Sequence, residues 1–329
     1  MSSRSDGRCF TECLINAMKT CVLTVTLNPA LDVTWALSGF RAGHDFYKNK
    51  QTVSAGGKGL NVSRTLQVLR VPNVATGFVG GDAGKTIKTF LKEEQIKLNF
   101  VDISATTRTN ITIVAPNDRY QTRILEKGQR VYPGEVQRFK EKYCSLLRRS
   151  NFVVLSGRNA DGASDQFYAR LIRLAKRQGI PVLLDTSGVP LKEGLAAGPD
   201  IIKPNLSEAE FIFGKKIKTK IDIRRFLQKC HKAGVKTVLL SMAQNGAVLS
   251  DNNEVFIAKP SFKNIQNDVG CGDAMVAGFI YGLMKNFSPE DQLRWAVALG
   301  TANGLNLKPG LMTRQEVTRI LKNIRVNPF

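Results

Sequence analysis

Short apolar runs alternate with longer amphipathic stretches along this chain from residue 21 onward. Runs rich in Val, Ile, Leu and Thr at 21–27, 74–79, 152–155, 181–185, 200–203 and 236–241 are bounded by Gly, Pro, Asn or Ser, the punctuation of short buried strands. Between them, apolar positions recur at helical spacing and predict helices over 60–70, 84–95, 135–148, 164–178, 207–214, 222–233, 273–285 and 289–303. Parallel neighbours need crossover connections, so this alternation predicts an α/β fold with a mostly parallel central sheet flanked by helices.

Two stretches, 32–53 and 107–126, lack helical periodicity and carry Thr, Val, Ile and aromatic residues at strand-like spacing. They are expected to pair as a small β-sheet lid over one end of the core. With no internal repeat or low-complexity linker, 21–329 reads as one domain with that lid. Residues 1–20 offer no core-like pattern and read as a disordered extension, with Met18 as an alternative start. The apolar stretch in it, Cys13 to Met18, is too short and polar for a signal-peptide core.

Composition adds size and charge. At 329 residues, 43% hydrophobic and 23% charged, the chain is an ordinary globular protein able to bury a sizeable core. No run approaches the roughly 18 apolar residues of a membrane span. The 48 Lys and Arg against 27 Asp and Glu leave a formal charge of +21. Because the basic residues are interleaved with apolar ones rather than gathered in a block, they read as a solvated surface and partly as a fit to an anionic small substrate, which argues against nucleic acid as the partner. Six cysteines, far apart except for Cys9, Cys13 and Cys21, complete no zinc set and read as free thiols of a reducing, cytoplasmic compartment.

The strongest chemical signal is Asn267-Asp268-Val269-Gly270-Cys271-Gly272-Asp273 leading into a helix of small residues. Gly270 and Gly272 permit a tight turn whose successive N–H groups, with Cys271 between them, meet the positive end of the helix and form an anion hole. Asp273 at its mouth is placed either to accept a proton from an attacking hydroxyl or simply to cap the helix. A second glycine-rich turn, Ser54 to Arg64, lets backbone approach a polar ligand at Gly56 and Gly57. There Lys58 offers a point charge and Asn61 a donor and acceptor for a sugar hydroxyl. Gly84-Lys85-Thr86 mimics the end of a Walker A loop, but Val79 stands where that loop needs its first glycine. His44 and His231 match no metal or triad pattern.

These motifs, with Thr24 to Asp32, Gly77 to Gly84, Asp185-Thr186-Ser187-Gly188 and Lys203-Pro204-Asn205-Leu206-Ser207-Glu208 in order and spacing, resemble the PfkB (ribokinase-like) carbohydrate kinases, in their phosphofructokinase and tagatose-phosphate-kinase branch. The resemblance covers residues 21–323. It implies ATP-dependent phosphorylation of a phosphorylated ketohexose, fructose 1-phosphate first, with tagatose 6-phosphate and fructose 6-phosphate as alternatives. A catalytically silent polyanion-binding protein on the same fold is the rival from another class.

The resemblance further implies that Asp273 is the base and that Asp32, Asn61, Gly56 and Gly57 hold sugar hydroxyls. Lys58 and Arg108 would hold the substrate's existing phosphate. Lys203, Asn205, Ser241, Gly246, Gly270 and Gly272 would contact ATP, Asn205 and Glu208 would place Mg2+ directly or through water, and a homodimer would form through the lid. Three departures stand out: Cys271 in the anion hole with Ala274 after the base, Ala243 at a usual glycine, and Ser156-Gly157-Arg158-Asn159 where the branch has Ser-Gly-Ser-Leu.

Overall fold

The computed structural model describes residues 21–41, 43–47, 50–114, 121–251, 254–260, 268–306, 310 and 312–329. The expected extension over 1–20, Asn267 of the glycine motif and part of the expected lid lie outside the described residues.

In chain order the strands are β1 (Val22–Thr26), β2 (Ala30–Ala36), β3 (Lys50–Gly56), β4 (Asn73–Val79), β5 (Lys97–Leu98), β6 (Val101–Asp102), β7 (Thr109–Val114) and β8 (Gln121–Ile124). They continue with β9 (Phe152–Ser156), β10 (Val182–Asp185), β11 (Ile201–Ile202), β12 (Thr237–Ser241), β13 (Ala247–Ser250), β14 (Val255–Lys259) and β15 (Arg325–Pro328). The helices are α1 (Lys58–Val68), α2 (Gly81–Glu93), α3 (Pro133–Leu147), α4 (Phe167–Arg177), α5 (Gly188–Ala196), α6 (Leu206–Phe213), α7 (Lys220–Lys232), α8 (Cys271–Met284), α9 (Pro289–Gly304) and α10 (Arg314–Leu321).

An 11-stranded sheet runs in the order β15-β14-β13-β12-β11-β10-β9-β1-β4-β5, with β6 beside β4. From β12 to β5 its neighbours are parallel, while β13, β14 and β15 add an antiparallel edge. Every residue of β1 is buried, as a central strand covered on both faces requires. Of its two threonines, Thr24 finds a partner inside, its hydroxyl lying 2.6 Å from that of Ser63, whereas the buried Thr26 hydroxyl has no hydrogen-bond partner among the described residues. One face carries a core of Leu23, Phe139, Tyr168, Phe226 and their neighbours beneath α3, α4 and α7. The other packs Val62, Leu183, Phe279 and Leu299 under α1, α8 and α9. Gly278 lets α8 and α9 approach, since a β-carbon there would sit 2.6 Å from the Trp295 carbonyl oxygen.

The six expected strands and eight expected helices are present, with ends shifted by a few residues. Sequence patterning missed α5, whose Pro190 and glycines resemble a loop; Gly194 is there because a β-carbon would lie 2.5 Å from Leu184. It also missed β13 and β14, a hairpin of short strands, and α10, although Thr313 and Glu316 form a capping box at its start.

A separate four-stranded sheet has the order β3-β2-β7-β8. Antiparallel pairing of β2 with β3 sets Asp32 beside Ser54, and parallel pairing with β7 sets Asp32 beside Asn110. Both stretches that break the helical alternation thus contribute to one small sheet. It follows directly on β1, the strand at which the main sheet's order reverses, and so stands at the carboxyl end of the strands, where open α/β sheets form their crevice.

Candidate functional site

Three loops leave the carboxyl ends of β9, β10 and β11 side by side, and α1 and α8 start against them. Asp185 ends β10 and is fully buried. A buried carboxylate needs partners, and Asp185 has three: Lys58 Nζ at 3.0 Å, Lys203 Nζ at 3.3 Å and the Ser156 hydroxyl donating at 3.3 Å. Burial alone would push its pKa up; the ammonium groups of Lys203 and Lys58 outweigh this and hold it below the usual carboxylate value. Lys58 also lies 3.9 Å from Glu208 Oε1. Burial works against its charge, but Asp185, Asp273 and Glu208 together raise its pKa above the ordinary lysine value.

Asp273 is the third residue of α8 and is buried. The Asn61 amide donates to its Oδ2 at 2.8 Å. Burial is the main cause that pushes Asp273 up to about 6, helped by the negative charge of Asp185 and opposed by Lys58, Asn61 and Lys203. The helix it opens is capped by Gly270 in the left-handed region at φ 79°, so the first-turn amides, which have no intrahelical acceptors, are gathered at the same mouth. Lys203 reaches across that mouth: a β-carbon on Gly272 would stand 3.3 Å from its Nζ. Two ammonium groups, a helix N-terminus and a carboxylate able to take up a proton near neutrality therefore converge, a set suited to moving an anionic group onto a hydroxyl.

The remaining expected residues fall around this centre. Asp32 accepts a hydrogen bond of 2.9 Å from Asn110, and Gly56 is required beside it, because a β-carbon there would overlap the carboxylate at 2.0 Å. Gly57, at φ 135°, makes the turn into α1. Asn205 and Glu208 form a reciprocal capping box at the start of α6, each accepting from the other's backbone N–H at 2.9 Å. Ser241 bridges to Asn205 and places its hydroxyl on the Pro204 carbonyl. Gly246, at φ 86°, serves the hairpin turn, where a β-carbon would collide with the Ala258 carbonyl oxygen at 1.9 Å. Ala243, the departure from a usual glycine, is held at φ 50°, a strained value for a residue with a side chain. Cys271 accepts from Asn303 Nδ2 at 3.7 Å.

Lys58 does not line the cavity beside Arg108. Arg108 donates to the Asn28 carbonyl at 3.1 Å and the Glu126 carbonyl at 3.3 Å, and lines a cavity of about 240 Å3 with Glu126, Lys127, Arg158, Asn159 and Asp161. Burial lowers the pKa of Arg108, and the like charge of Arg158 adds to that effect against Asp32 and Glu126. Arg108, Lys127 and Arg158 outnumber the carboxylates of Glu126 and Asp161 in this lining, a balance compatible with an anionic group. Patterning had not placed Asp185, Ser156 or Arg158 in the site; only the departure at Ser156 to Asn159 hinted at the last. His231, between the Val235 carbonyl and the Ser250 hydroxyl, is structural.

The family model described as pfkB family carbohydrate kinase matches residues 30–306. The chain is 33% identical to a tagatose-6-phosphate kinase of Staphylococcus epidermidis and 32% identical to a 1-phosphofructokinase of Bacillus subtilis, each match covering 93% of this chain and 99% of the relative. The tetrameric inhibited form of phosphofructokinase-2 from Escherichia coli superposes with a TM-score of 0.86 at 26% identity, over 92% of this chain and 99% of that one.

Proposed function

The chain belongs to the pfkB family of carbohydrate kinases, and from that premise we propose that it transfers the γ-phosphoryl group of ATP to a hydroxyl of a phosphorylated ketohexose, fructose 1-phosphate first among them. The observation that carries the reading is the cavity lined by Arg108 and Arg158, because Gly157, beside Arg158, adjoins Lys58 (a β-carbon there would lie 3.7 Å from Lys58 Cβ) and so brings a second cationic site close to the first. Relatives named for 1-phosphofructokinase and tagatose-6-phosphate kinase activity support the same substrate class.

In this reading the sugar lies between the small sheet and the ends of the main strands. Asp32, Asn61 and the Gly56-Gly57 backbone hold its hydroxyls, and Arg108 with Arg158 holds its phosphate. Asp273 takes the proton of the attacking hydroxyl. Lys58 and Lys203, with the α8 amides of Gly270, Cys271 and Gly272, hold the charge of the phosphoryl group in transit. Asp185 keeps both ammonium groups in place while leaving them net positive. The phosphates of ATP lie along Lys203, Asn205 and Ser241.

Among the described residues no three His, Cys, Asp or Glu side chains gather to cage a metal. Asn205 and Glu208 supply hard oxygens at the phosphate end, which fits Mg2+ held largely through water and phosphate oxygens. When bound, that ion neutralises phosphate charge. No helix among the described residues is long and apolar enough to cross a membrane, and a cytoplasmic location is the corresponding expectation.

The test is an ADP-release assay across fructose 1-phosphate, tagatose 6-phosphate, fructose 6-phosphate and free fructose. Phosphorylated sugars are expected to lead in kcat/KM by about two powers of ten or more, as two charged contacts of about 1.5–3 kcal/mol each predict. Equal efficiency on free fructose would overturn the phosphosugar assignment.

A further inference from the structure

Arg64 ends the second glycine-rich motif but takes no role in the reading above, and it sits one helical turn beyond Asn61 on α1, side chain nine-tenths buried. It is held from both sides. Its Nε donates to Glu94 Oε2, just past the end of α2, at 2.7 Å, and its Nη1 donates to Asn61 Oδ1 at 3.0 Å. Gly310 closes over its stem, where a β-carbon would lie 2.9 Å from Arg64 Cβ. Asn303 fixes that glycine in turn by accepting from its N–H at 2.9 Å, and donates to the Val269 carbonyl at 2.8 Å, in the loop before the anion hole.

An asparagine amide has an oxygen that only accepts and a nitrogen that only donates, so the partner of one end decides what the other end presents. A guanidinium has no acceptor. With Arg64 on one side, Asn61 must turn its oxygen to Arg64 and its N–H to Asp273, the arrangement found. The opposite rotamer would set two donors against each other at Arg64 and, with Asp273 ionised, two acceptors against each other at the carboxylate. Without Arg64 only an ionised Asp273 would still demand the N–H; a protonated Asp273 could instead donate to the oxygen of a flipped Asn61, an alternative that stabilises the neutral carboxyl and that Arg64 closes off.

We propose that Arg64, anchored by Glu94, is a positioning residue of this enzyme: it locks the Asn61 amide so that a hydrogen-bond donor always faces the Asp273 carboxylate. The proposal rests on Asp273 being the base. The groups bearing on Asp273 are Lys58 and Asn61 of α1, Asp185 of β10, Lys203 after β11 and Cys271 of its own helix; of these, only Asn61 is oriented by Arg64. Loss of the lock removes an interaction that favours the ionised carboxylate, so the pH at which Asp273 becomes competent moves upward.

The experiment measures kcat against pH from 5 to 9 for the wild type, Asp273→Asn, Arg64→Met, Asn61→Ala and the Arg64→Met/Asn61→Ala pair, with thermal melts of each. Methionine keeps the stem that packs on Gly310. The Asp273→Asn arm tests the parent reading: retained turnover there removes the base itself, whatever Arg64 does. If Asp273 is the base, Arg64→Met is expected to move the acid limb of the profile upward by about half a unit to one unit and to recover much of its turnover at pH 9. Adding Arg64→Met to Asn61→Ala is expected to change the limb no further, because the amide it orients is already gone. A limb that stays put in Arg64→Met, with turnover lowered equally at every pH, overturns the proposal, as does a limb displaced by the same amount in both backgrounds. Glu94→Gln is the conservative control: it keeps an acceptor for Nε, so its limb is expected to stay at the wild-type position, and a limb moved as far as that of Arg64→Met would overturn the orientational role.

Discussion

At the scale of single residues, function and stability pull Asp273 in opposite directions. Burial raises its pKa to about 6, so the base is ionised above that value and turnover is expected to fall as pH drops through it. The same shift has a stability consequence. A carboxyl whose folded pKa is raised favours the fold below its unfolded pKa near 4 and loses that contribution as pH rises through about 6. At pH 7 the ionised group therefore costs stability. Asp273→Asn is expected to cut turnover by about two to four orders of magnitude while raising the melting temperature at pH 7, with a gain of up to about 3 kcal/mol that shrinks toward pH 4. A mutant less stable than the wild type at pH 7 would show that the charge is fully compensated by Lys58 and Lys203. Arg108→Ala is expected to raise KM for the sugar phosphate about ten- to a hundredfold, leaving KM for ATP nearly unchanged, since one charged hydrogen-bonding partner is lost. An unchanged sugar-phosphate KM would remove Arg108 from the phosphate cavity. Asp273, Asn61 and the glycines were legible in the sequence because each lies in a compact motif. Asp185 was not legible as a site residue, because its partner Lys58 lies 127 positions away and only the parallel sheet brings them together. The ion pair of Lys58 with Asp185 was hidden for the same reason, although the lysine itself was legible in its glycine-rich turn.

At the scale of elements, periodicity recovered what was long and regular and lost what was short. The parallel strands are nearly continuous apolar runs, whereas β13 and β14 form a hairpin of four and five residues around a polar turn. Gly246 lies just before β13, in the turn from β12, and its φ of 86° and close approach to Ala258 of β14 admit no side chain. Gly246→Ala is expected to destabilise the fold by about 2–4 kcal/mol, combining positive-φ strain with overpacking; a melting temperature within a degree of the wild type would show that the turn relaxes. The small sheet raises a different question. It was legible as two β-rich interruptions, but its free side was not. Ile124 at the end of β8 and Leu125 after it are 53% and 59% exposed, and Tyr47 before β3 is 92% exposed. An open edge bearing apolar side chains is normally covered. We expect a homodimer through this sheet, and Leu125→Lys is expected to shift the mass measured by light scattering toward the monomer. A wild-type chain that is monomeric at every concentration tested would overturn the expectation.

For the whole molecule the governing quantity is charge. A formal +21 on 329 residues concentrates like charge as the chain compacts, and self-repulsion of this kind opposes folding. The cost is visible in one place away from the site. Lys140 of α3, Arg170, Arg173, Lys176 and Arg177 of α4 line an open cleft beside the end of α5, and the described residues lining it include no carboxylate. This cleft lies toward the amino ends of the parallel strands, because α4 descends from the carboxyl end of β9 before β10 begins, so it does not serve the anion sites at the opposite end. If the charge chiefly serves solubility, screening should relieve it. Raising ionic strength from 0.01 to 0.15 M shortens the Debye length from about 30 to about 8 Å, less than the width of the cleft's helix pair. The melting temperature is expected to rise over that range, and Arg173→Glu is expected to raise it at low salt while flattening the salt dependence. The alternative use of the charge, on a nucleic acid, predicts tight binding of a mixed-sequence duplex that survives physiological salt. A purely electrostatic contact instead loses affinity steeply as counterions compete. A duplex held firmly at 0.15 M, and released by Arg173→Glu, would assign this surface a partner and overturn the solubility reading.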